Sequence, residues 1–120
     1  MSHFLIHCTH ADDDPERATL AFIVANVAAS ADQSVVVLLT IEGVWLAQPG
    51  RADGLHKDGF PALKDVMQQF LANGGQIWAC GTCAKPRGIS EAGLIPGARI
   101  VTAAHVVQHL AQGGVSTLDF

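Results

Sequence analysis

The central segment of the chain reads QIWACGTCAKPRGI, from Gln76 to Ile89. Its first residues form a short apolar run that ends at Cys80 and follows a Gly74-Gly75 pair, so a buried strand is predicted over residues 76–80. The residues after Cys80 then form a loop at the carboxyl end of that strand. Because ligands bind at this edge of an open α/β sheet, the segment predicts the position of the functional site as well as the fold.

Strand and helix patterns alternate on both sides of this segment. Residues 35–41 form a continuous β-branched and leucine run, which is typical of a parallel strand covered on both faces. The other predicted strands are residues 4–8, 99–101 and 115–118, and the predicted helices are residues 15–31, 61–73 and 103–112. This alternation predicts one α/β domain over residues 1–120, a flavodoxin-like three-layer sandwich with a mostly parallel five-stranded sheet.

The first predicted helix is apolar on nearly every side. Asp14 and Pro15 have the pattern of an N-cap and a first helical residue. Phe22 and several alanines lie opposite a face of larger aliphatic residues, which are Leu20, Ile23, Val24 and Val27. A helix of this kind is buried on more than one side, which indicates an oligomer interface. A helix wedged between the sheet and neighbouring helices is the alternative.

The composition narrows the classes of function. Of 120 residues, 49% are hydrophobic and 15% charged, and the formal net charge is -4. No basic stripe is present, so nucleic acid is not an expected partner. The first residues lack the pattern of a signal peptide, and no apolar run approaches the roughly 18 residues of a membrane span. Three cysteines, an odd number, favour free thiols in a reducing cytoplasm.

Cys80 is the candidate nucleophile of the central segment. Lys85 and Arg87 are close to it in sequence, and cations and loop N–H groups favour the thiolate, which is the reactive form of a thiol. The pattern therefore predicts a reactive or persulfide-forming cysteine. An inert buried thiol is the ordinary alternative, because cysteine packs as a small hydrophobic residue.

Cys80 and Cys83 form a C-x-x-C unit that has three interpretations. A thioredoxin-type redox pair would open a long helix, which Pro86 and Gly88 would interrupt here. A zinc site would need two further ligands. The remaining thiol and imidazole candidates are scattered: His7, Cys8, His10, His105 and His109. The third interpretation is a sulfur-handling thiol with a neighbouring helper or bystander.

The spacing of the two cysteines matters for sulfur handling. A persulfide on Cys80 is open to attack by a Cys83 thiolate, which forms a disulfide and releases sulfide. We therefore expect Cys83 to point away from Cys80 in a protein that carries sulfur.

The order of these motifs resembles the DsrE/DsrF-like family, over residues 4–120. The family signature is similar to Cys80-x-x-Cys83-x-x-x-Arg87-Gly88-Ile89. The supporting stretches are Asp13-Asp14-Pro15-Glu16-Arg17-Ala18, Glu42-Gly43-Val44-Trp45-Leu46 and Phe60-Pro61-Ala62-Leu63. The resemblance implies a homo-oligomer, often a trimer or hexamer, that relays sulfane sulfur as a persulfide. Cys80 matches the working cysteine of the TusD-related members, whereas Cys83 places the chain nearer a stand-alone branch with two cysteines.

The leading hypothesis is an intracellular sulfur-transfer protein with no cofactor and no resident metal. Whether it turns over as a sulfurtransferase stays open, and a small sulfur-carrier protein is the expected partner. Cys80 is the predicted nucleophile, Cys83 a resolving or protective thiol, and Arg87 and Lys85 the cations that stabilise the thiolate or an anionic donor. The remaining loop positions are Gly81 and Thr82, which offer N–H groups, and Gly88, which lets the loop turn.

The second hypothesis is a non-enzymatic oligomeric module. In it the same crevice binds a small ligand or a metal, and the cysteines are redox-sensitive or inert.

Overall fold

Five parallel strands form one sheet, as the strand–helix alternation predicts. The structure is a computed structural model and describes residues 2–120. The strands are β1 (His3–Cys8), β2 (Ser34–Leu39), β3 (Gln76–Cys80), β4 (Ala98–Val101) and β5 (Val115–Asp119). The helices are α1 (Pro15–Ser30), α2 (Leu63–Ala72), α3 (Gly81–Ala84) and α4 (Ala103–Ala111). Three short 3-10 segments cover Ile41–Ala47, Lys85–Arg87 and Glu91–Gly93.

The strand order is β4-β3-β2-β1-β5, which corrects the flavodoxin-like order expected from the sequence. In the flavodoxin order the first strand lies between the second and third, whereas here it lies between β2 and β5. Each of the first three crossovers steps to the adjacent strand in one direction. Right-handed crossovers therefore place α1, α2 and α3 on one face, and α4 returns across the other face to reach β5. The layered α/β class is confirmed, but the strand order is not.

The larger core lies between the sheet and α1 and α2. Phe22 of α1 and Phe70 of α2 meet edge to face with ring centroids 5.8 Å apart, and both are fully buried. The inward face of α1 consists of Phe22, Thr19 and alanines, because small side chains let the helix approach both the sheet and α2. Leu20 and Val27, on the predicted face of larger aliphatic residues, are 38% and 65% exposed. These two side chains form apolar surface on the outside of α1.

The opposite face of the sheet is covered by α4 alone. Its smaller core consists of Leu5, Val36, Leu38, Trp78 and Val101. No residue of α4 is fully buried within the described chain, and Val107 is 63% exposed. None of the helices in residues 2–120 has the length and apolar character needed to cross a membrane.

Several predicted boundaries shift by one or two residues. The predicted N-cap at Asp14 is confirmed, since its side chain accepts a hydrogen bond from the Arg17 N–H of α1, and Thr102 caps α4 in the same way. Strand β2 ends at Leu39, because Ile41 adopts a positive φ of 56° and begins a 3-10 segment. Helix α2 begins at Leu63 rather than at Pro61. These shifts do not alter the connectivity that positions the site.

Candidate active site around Cys80

Cys80 lies at the carboxyl end of β3, between the ends of β2 and β4. The crossovers after β3 and β4 leave on opposite faces of the sheet, so this is a topological switch point, where open α/β sheets bind ligands. A largely apolar cavity of about 230 Å³ opens there. Its walls are Leu38, Thr40, Cys80, Val101, Thr102, Ala103, Val106 and Val107. The central segment therefore brings its first cysteine to a cavity at the ligand-binding edge.

The two cysteines of the central segment have different surroundings. Both are half-buried, and all three cysteines of the chain are free thiols. Cys80 lines the cavity on the α4 face and also touches the edge of the larger core. Cys83 also packs against the larger core, and it is absent from the cavity walls described for residues 2–120. The expectation that Cys83 points away from Cys80 stays a prediction.

The residues after Cys80 form a helical turn rather than an open loop. Gly81 to Ala84 make one turn of α-helix, and Lys85 to Arg87 continue as a 3-10 turn. Gly88 ends this turn, and its N–H donates a hydrogen bond to the Lys85 carbonyl oxygen. Its φ of 73° is a left-handed backbone conformation, which a residue with a side chain would adopt only with strain. The predicted turn at Gly88 is present, but it closes a helix.

Arg87 contacts the turn itself. Its Nη1 donates a hydrogen bond to the Cys83 carbonyl oxygen at 3.0 Å, and its Nε lies 3.7 Å from Oε2 of Glu42. The predicted role of Arg87 toward the Cys80 sulfur stays a prediction, because its hydrogen bond is to the backbone. Thr82 and Lys85, the other polar members of the turn, are exposed to solvent. The Cys80 side chain makes no capping hydrogen bond to the N–H groups of the turn.

Cys8 has the surroundings of a core thiol. Its side chain is fully buried on the α1 face, opposite the cavity, and its sulfur donates to the His10 carbonyl oxygen at 3.3 Å. Burial raises the pKa of Cys8 to about 11, partly opposed by the hydrogen bond to His10. Cys8 is therefore a core thiol and does not line the Cys80 cavity.

A hydrogen-bonded row of side chains crosses the sheet beside the cavity. Asp119 Oδ1 lies 2.9 Å from His7 Nδ1, and His7 Nε2 lies 2.6 Å from Thr40 Oγ1. The three residues stand at or just beyond the carboxyl ends of β5, β1 and β2. Thr40 is also a wall of the Cys80 cavity. The amino-acid sequence alone does not predict this row. Its only sequence hint is a polar residue near the carboxyl end of each of the three strands.

The scattered histidines do not gather around the cysteines. His105 and His109 of α4 pack edge to face against the Trp78 ring, with centroids 4.7 and 5.0 Å away. His10 pairs with Asp13 at 2.7 Å in the loop after β1. Within residues 2–120, no group of three or more His, Cys, Asp or Glu side chains is arranged to hold a metal ion.

The polar loop between β2 and α2 packs along α2, where a groove of about 420 Å³ is lined by residues such as Gly50, Lys64 and Met67. Arg51 of this loop stacks 4.1 Å above the Trp45 ring. This larger groove contains no thiol among its described walls, whereas Cys80 lines the smaller cavity.

Two proteins of archaea are similar to this chain in sequence. The chain is 30% identical over 112 residues to the uncharacterized protein MJ0760 of Methanocaldococcus jannaschii, covering 93% of this chain and 40% of that protein. It is 32% identical over 87 residues to the uncharacterized protein MK0008 of Methanopyrus kandleri, covering 72% of this chain and 69% of the relative. The chain thus spans well under half the length of the first relative.

Two solved structures share the fold. The YchN protein of E. coli superposes with a TM-score of 0.72 at 21% identity, covering 100% of both chains. MTH1491, a protein of unknown function from Methanobacterium thermoautotrophicum, superposes with a TM-score of 0.65 at 16% identity, covering 98% of this chain and 99% of the other. The model of the DsrE/DsrF-like family matches residues 2–120. The chain belongs to the DsrE/DsrF-like family.

Proposed function

We propose that this protein is a sulfur-transfer protein that carries sulfane sulfur as a persulfide on Cys80. Membership of the DsrE/DsrF-like family suggests a sulfur-relay role. The observation that supports the persulfide is the position of Cys80, a half-buried thiol in the wall of a cavity of about 230 Å³ at the switch point of the sheet. A largely apolar cavity can shield a bound persulfide from water and from other thiols.

The loading step needs only the thiolate and a sulfane donor. The Cys80 thiolate attacks the outer sulfur of thiosulfate and forms a new S–S bond. The S–S bond of thiosulfate breaks, and sulfite leaves with the bonding electron pair. The product is a Cys80 persulfide anion, and an acceptor thiolate then removes the outer sulfur and regenerates Cys80. No separate oxidant or reductant takes part.

Cys83 is a protective rather than a resolving thiol in this proposal. A resolving thiol must reach the inner sulfur of the persulfide, and this sulfur would lie in the cavity that Cys80 lines and Cys83 does not. The hydrogen bond from Arg87 to the Cys83 carbonyl oxygen holds the turn that carries Cys83.

Lys85 supplies the cation that attracts an anionic donor. Its side chain is exposed, and it makes no ion pair among the described residues, whereas Arg87 contacts Glu42 and the Cys83 backbone. An exposed ammonium group raises the local concentration of a dianion such as thiosulfate. Attraction of the donor therefore falls to Lys85, and organisation of the turn falls to Arg87.

A homo-oligomer in a reducing cytoplasm completes the proposal. Exposed apolar side chains on α1, α4 and β5 are surface that a second copy can cover, and they include Val27, Val107 and Leu118. A reducing compartment keeps the three thiols free, as they are here. The acceptor is the thiol of a small sulfur-carrier protein.

Intact-protein mass spectrometry after exposure to thiosulfate or polysulfide tests the proposal. The wild type is compared with Cys80→Ser and with Cys83→Ser, the matched control three residues away. We expect a gain of one sulfur atom in the wild type and in Cys83→Ser, reversed by reductant. Cys80→Ser should gain nothing.

Two outcomes would overturn it. A gain that persists in Cys80→Ser places the sulfur elsewhere. No gain in any variant makes Cys80 an ordinary thiol, and the cavity would then be that of a binding module. Quantitative Cys80–Cys83 disulfide under mild oxidant would instead contradict the protective role of Cys83.

A further inference from the structure

We propose that Thr40, His7 and Asp119 form a proton relay that serves the Cys80 thiol. Thr40 faces the thiol, and His7 and Asp119 are positioning residues that act through the Thr40 hydroxyl. The inference deepens the sulfur-transfer proposal and rests on it for the identity of the nucleophile. Its test does not require sulfur transfer.

Strand register brings the relay together. Asp119 of β5 and His7 of β1 are direct partners in the sheet, which places their side chains on the same face. His7 also pairs with Leu38 of β2, and from there its ring reaches Thr40, two residues further along. The row therefore runs along the carboxyl edge of three adjacent strands and ends at the cavity wall.

Thr40 and Cys80 are cross-strand neighbours. The last registered pair of β2 and β3 is Leu39 with Ala79, and Thr40 and Cys80 follow directly on the two chains. Neighbouring strands lie about 4.8 Å apart, and both side chains line the same cavity. The two residues therefore line the cavity from the same face of the sheet, and no hydrogen bond joins the Cys80 sulfur to the Thr40 hydroxyl before a donor binds.

The backbone holds Thr40 in this position. Ile41, the next residue, has φ 56°, an unfavourable conformation for a β-branched side chain. The Thr40 N–H bonds to the Cys8 carbonyl oxygen at 3.1 Å, and its own carbonyl oxygen accepts from the Gly43 N–H at 2.9 Å. The chain therefore turns sharply just after Thr40, which keeps its hydroxyl at the strand end.

The chemistry of the three side chains determines which atom carries the proton in each hydrogen bond of the row. An ionised Asp119 carboxylate can only accept, so His7 Nδ1 carries the proton of that bond. In the neutral imidazole, Nε2 then has a lone pair, and the Thr40 hydroxyl donates to it. The lone pairs of the Thr40 oxygen remain available on the cavity side, where they can accept from the Cys80 S–H.

The proton transfer balances with the chemistry at sulfur. As Cys80 attacks a donor, its S–H proton passes to Thr40 Oγ1, and the Thr40 hydroxyl proton passes to His7 Nε2. His7 becomes an imidazolium beside the Asp119 carboxylate. When sulfite leaves, the imidazolium returns a proton through Thr40 to sulfite or to the persulfide. No electrons enter or leave the relay.

An alternative is that the row only fastens three strand ends together. Asp119 is 77% exposed and His7 27%, so solvent screens this ion pair and it adds little to stability. The fastening of β5 to β1 is already provided by the backbone, where the Phe120 N–H bonds to the His7 carbonyl oxygen at 2.7 Å. The side-chain row therefore adds little to the fastening of the strands, and the alkylation test below decides between the two roles.

The relay is tested by alkylation of Cys80 with iodoacetamide, an uncharged reagent that reacts with the thiol without any sulfur donor. The rate at Cys80 is measured by peptide mass spectrometry at neutral pH in wild type, Thr40→Val, Thr40→Ser, His7→Gln and Asp119→Asn. We expect Thr40→Val and His7→Gln to slow the reaction about tenfold or more, less than the roughly 10²–10⁴-fold of full general-base catalysis, because the relay acts on a thiol that already ionises in part at neutral pH. Asp119→Asn should slow it less, because Asp119 is largely exposed.

Rescue and an internal control separate the relay from a structural role. Thr40→Ser restores the hydroxyl and should recover most of the wild-type rate, while Thr40→Val keeps the shape without it. The alkylation rate of Cys83, measured in the same digests, should not change. A wild-type rate in both Thr40→Val and His7→Gln, a failure of Thr40→Ser to rescue, or equal slowing of Cys83 would each overturn the relay.

The two proposals fail in distinguishable ways. If the wild type takes up no sulfur but the alkylation pattern holds, the relay stands and sulfur transfer is wrong. If sulfur loads on Cys80 and its alkylation rate is unchanged in the variants, sulfur transfer stands and the relay is wrong. Should Thr40→Val fail to fold, His7→Gln compared with Thr40→Ser gives the same decision.

Discussion

Arg87 donates a hydrogen bond from Nη1 to the carbonyl oxygen of Cys83, 3.0 Å away. The guanidinium thus closes the turn that carries Cys83, and Glu42 approaches its other side at 3.7 Å. One planar cation links the turn after β3 to the 3-10 segment Ile41–Ala47. Arg87 therefore has a structural role in the central segment that does not depend on the chemistry of Cys80.

Replacing Arg87 should loosen this turn. A hydrogen bond to a charged group contributes about 1.5–3 kcal/mol, and the Arg87 side chain is only 24% exposed. We expect Arg87→Ala to lower the free energy of unfolding by about 1–2 kcal/mol, measured by urea denaturation. Cys83 should also react faster with iodoacetamide, because its turn opens more often.

Lys85→Ala is the matched control for Arg87→Ala. It removes a cation two residues away that is exposed to solvent. Its effect on stability should stay within about 0.5 kcal/mol, as for other surface substitutions. Equal destabilisation by both changes would show that Arg87 does not hold the turn.

Gly43 is required by close packing of two backbones. A Cβ added there would lie 2.3 Å from the Cys8 carbonyl oxygen, and backbone cannot move aside as a flexible side chain can. We expect Gly43→Ala to lower the free energy of unfolding by about 1–3 kcal/mol or more, the usual cost of overpacking. Thermal and urea unfolding measure the change.

Gly93 provides the comparison for Gly43. A Cβ at this position meets nothing within 4 Å, and the residue lies in a short 3-10 turn. Gly93→Ala should therefore be neutral or should stabilise by about 0.4–1 kcal/mol, because alanine restricts the unfolded chain. Similar losses at the two positions would contradict the packing argument.

Much of the architecture could be predicted because local signals agreed with one another. The strands had continuous apolar runs, and the caps Asp14 and Thr102 had the expected side chains. The strand order could not be read locally, because it depends on which edge of the sheet the last crossover reaches. Which side of α1 packs inward could not be read from the sequence, because the helix is apolar on nearly every side.

Only part of the candidate site could be predicted from the sequence. Cys80 could be placed because its strand end and its glycine-containing turn are contiguous. Thr40, His7 and Asp119 are up to 112 positions apart, and only the register of β5, β1 and β2 brings them together. The short helical turn after Cys80 was also missed, since Pro86 and Gly88 so close by favour a loop.

Lys85 should matter for an anionic donor and not for a neutral reagent. We expect Lys85→Gln to slow sulfur loading of Cys80 from thiosulfate about two- to fivefold at low ionic strength, since electrostatic attraction raises the encounter rate. The difference should shrink as salt is added, because the lysine is exposed. The rate at which iodoacetamide alkylates Cys80 should be the same in Lys85→Gln as in wild type, because this reagent is uncharged.

The pH dependence of stability should report the burial of Cys8. Its pKa is raised from the ordinary value of 9.0 to about 11, chiefly because burial disfavours the thiolate. Between these two pH values the unfolded chain has lost the thiol proton and the folded chain has kept it. The unfolded state then binds fewer protons, so the free energy of unfolding falls as pH rises.

The contribution of Cys8 is fully present below pH 9 and is lost as pH rises through about 11. A pKa difference of this size corresponds to about 3 kcal/mol. Urea unfolding across this range should therefore show wild type losing up to about 3 kcal/mol relative to Cys8→Ala, in which no thiol titrates. The comparison uses the change with pH, because the variant also leaves a small cavity at every pH. Parallel curves for the two proteins would mean that the Cys8 thiolate forms as readily inside the fold as outside it, and the thiol would then be open to the same chemistry as Cys80.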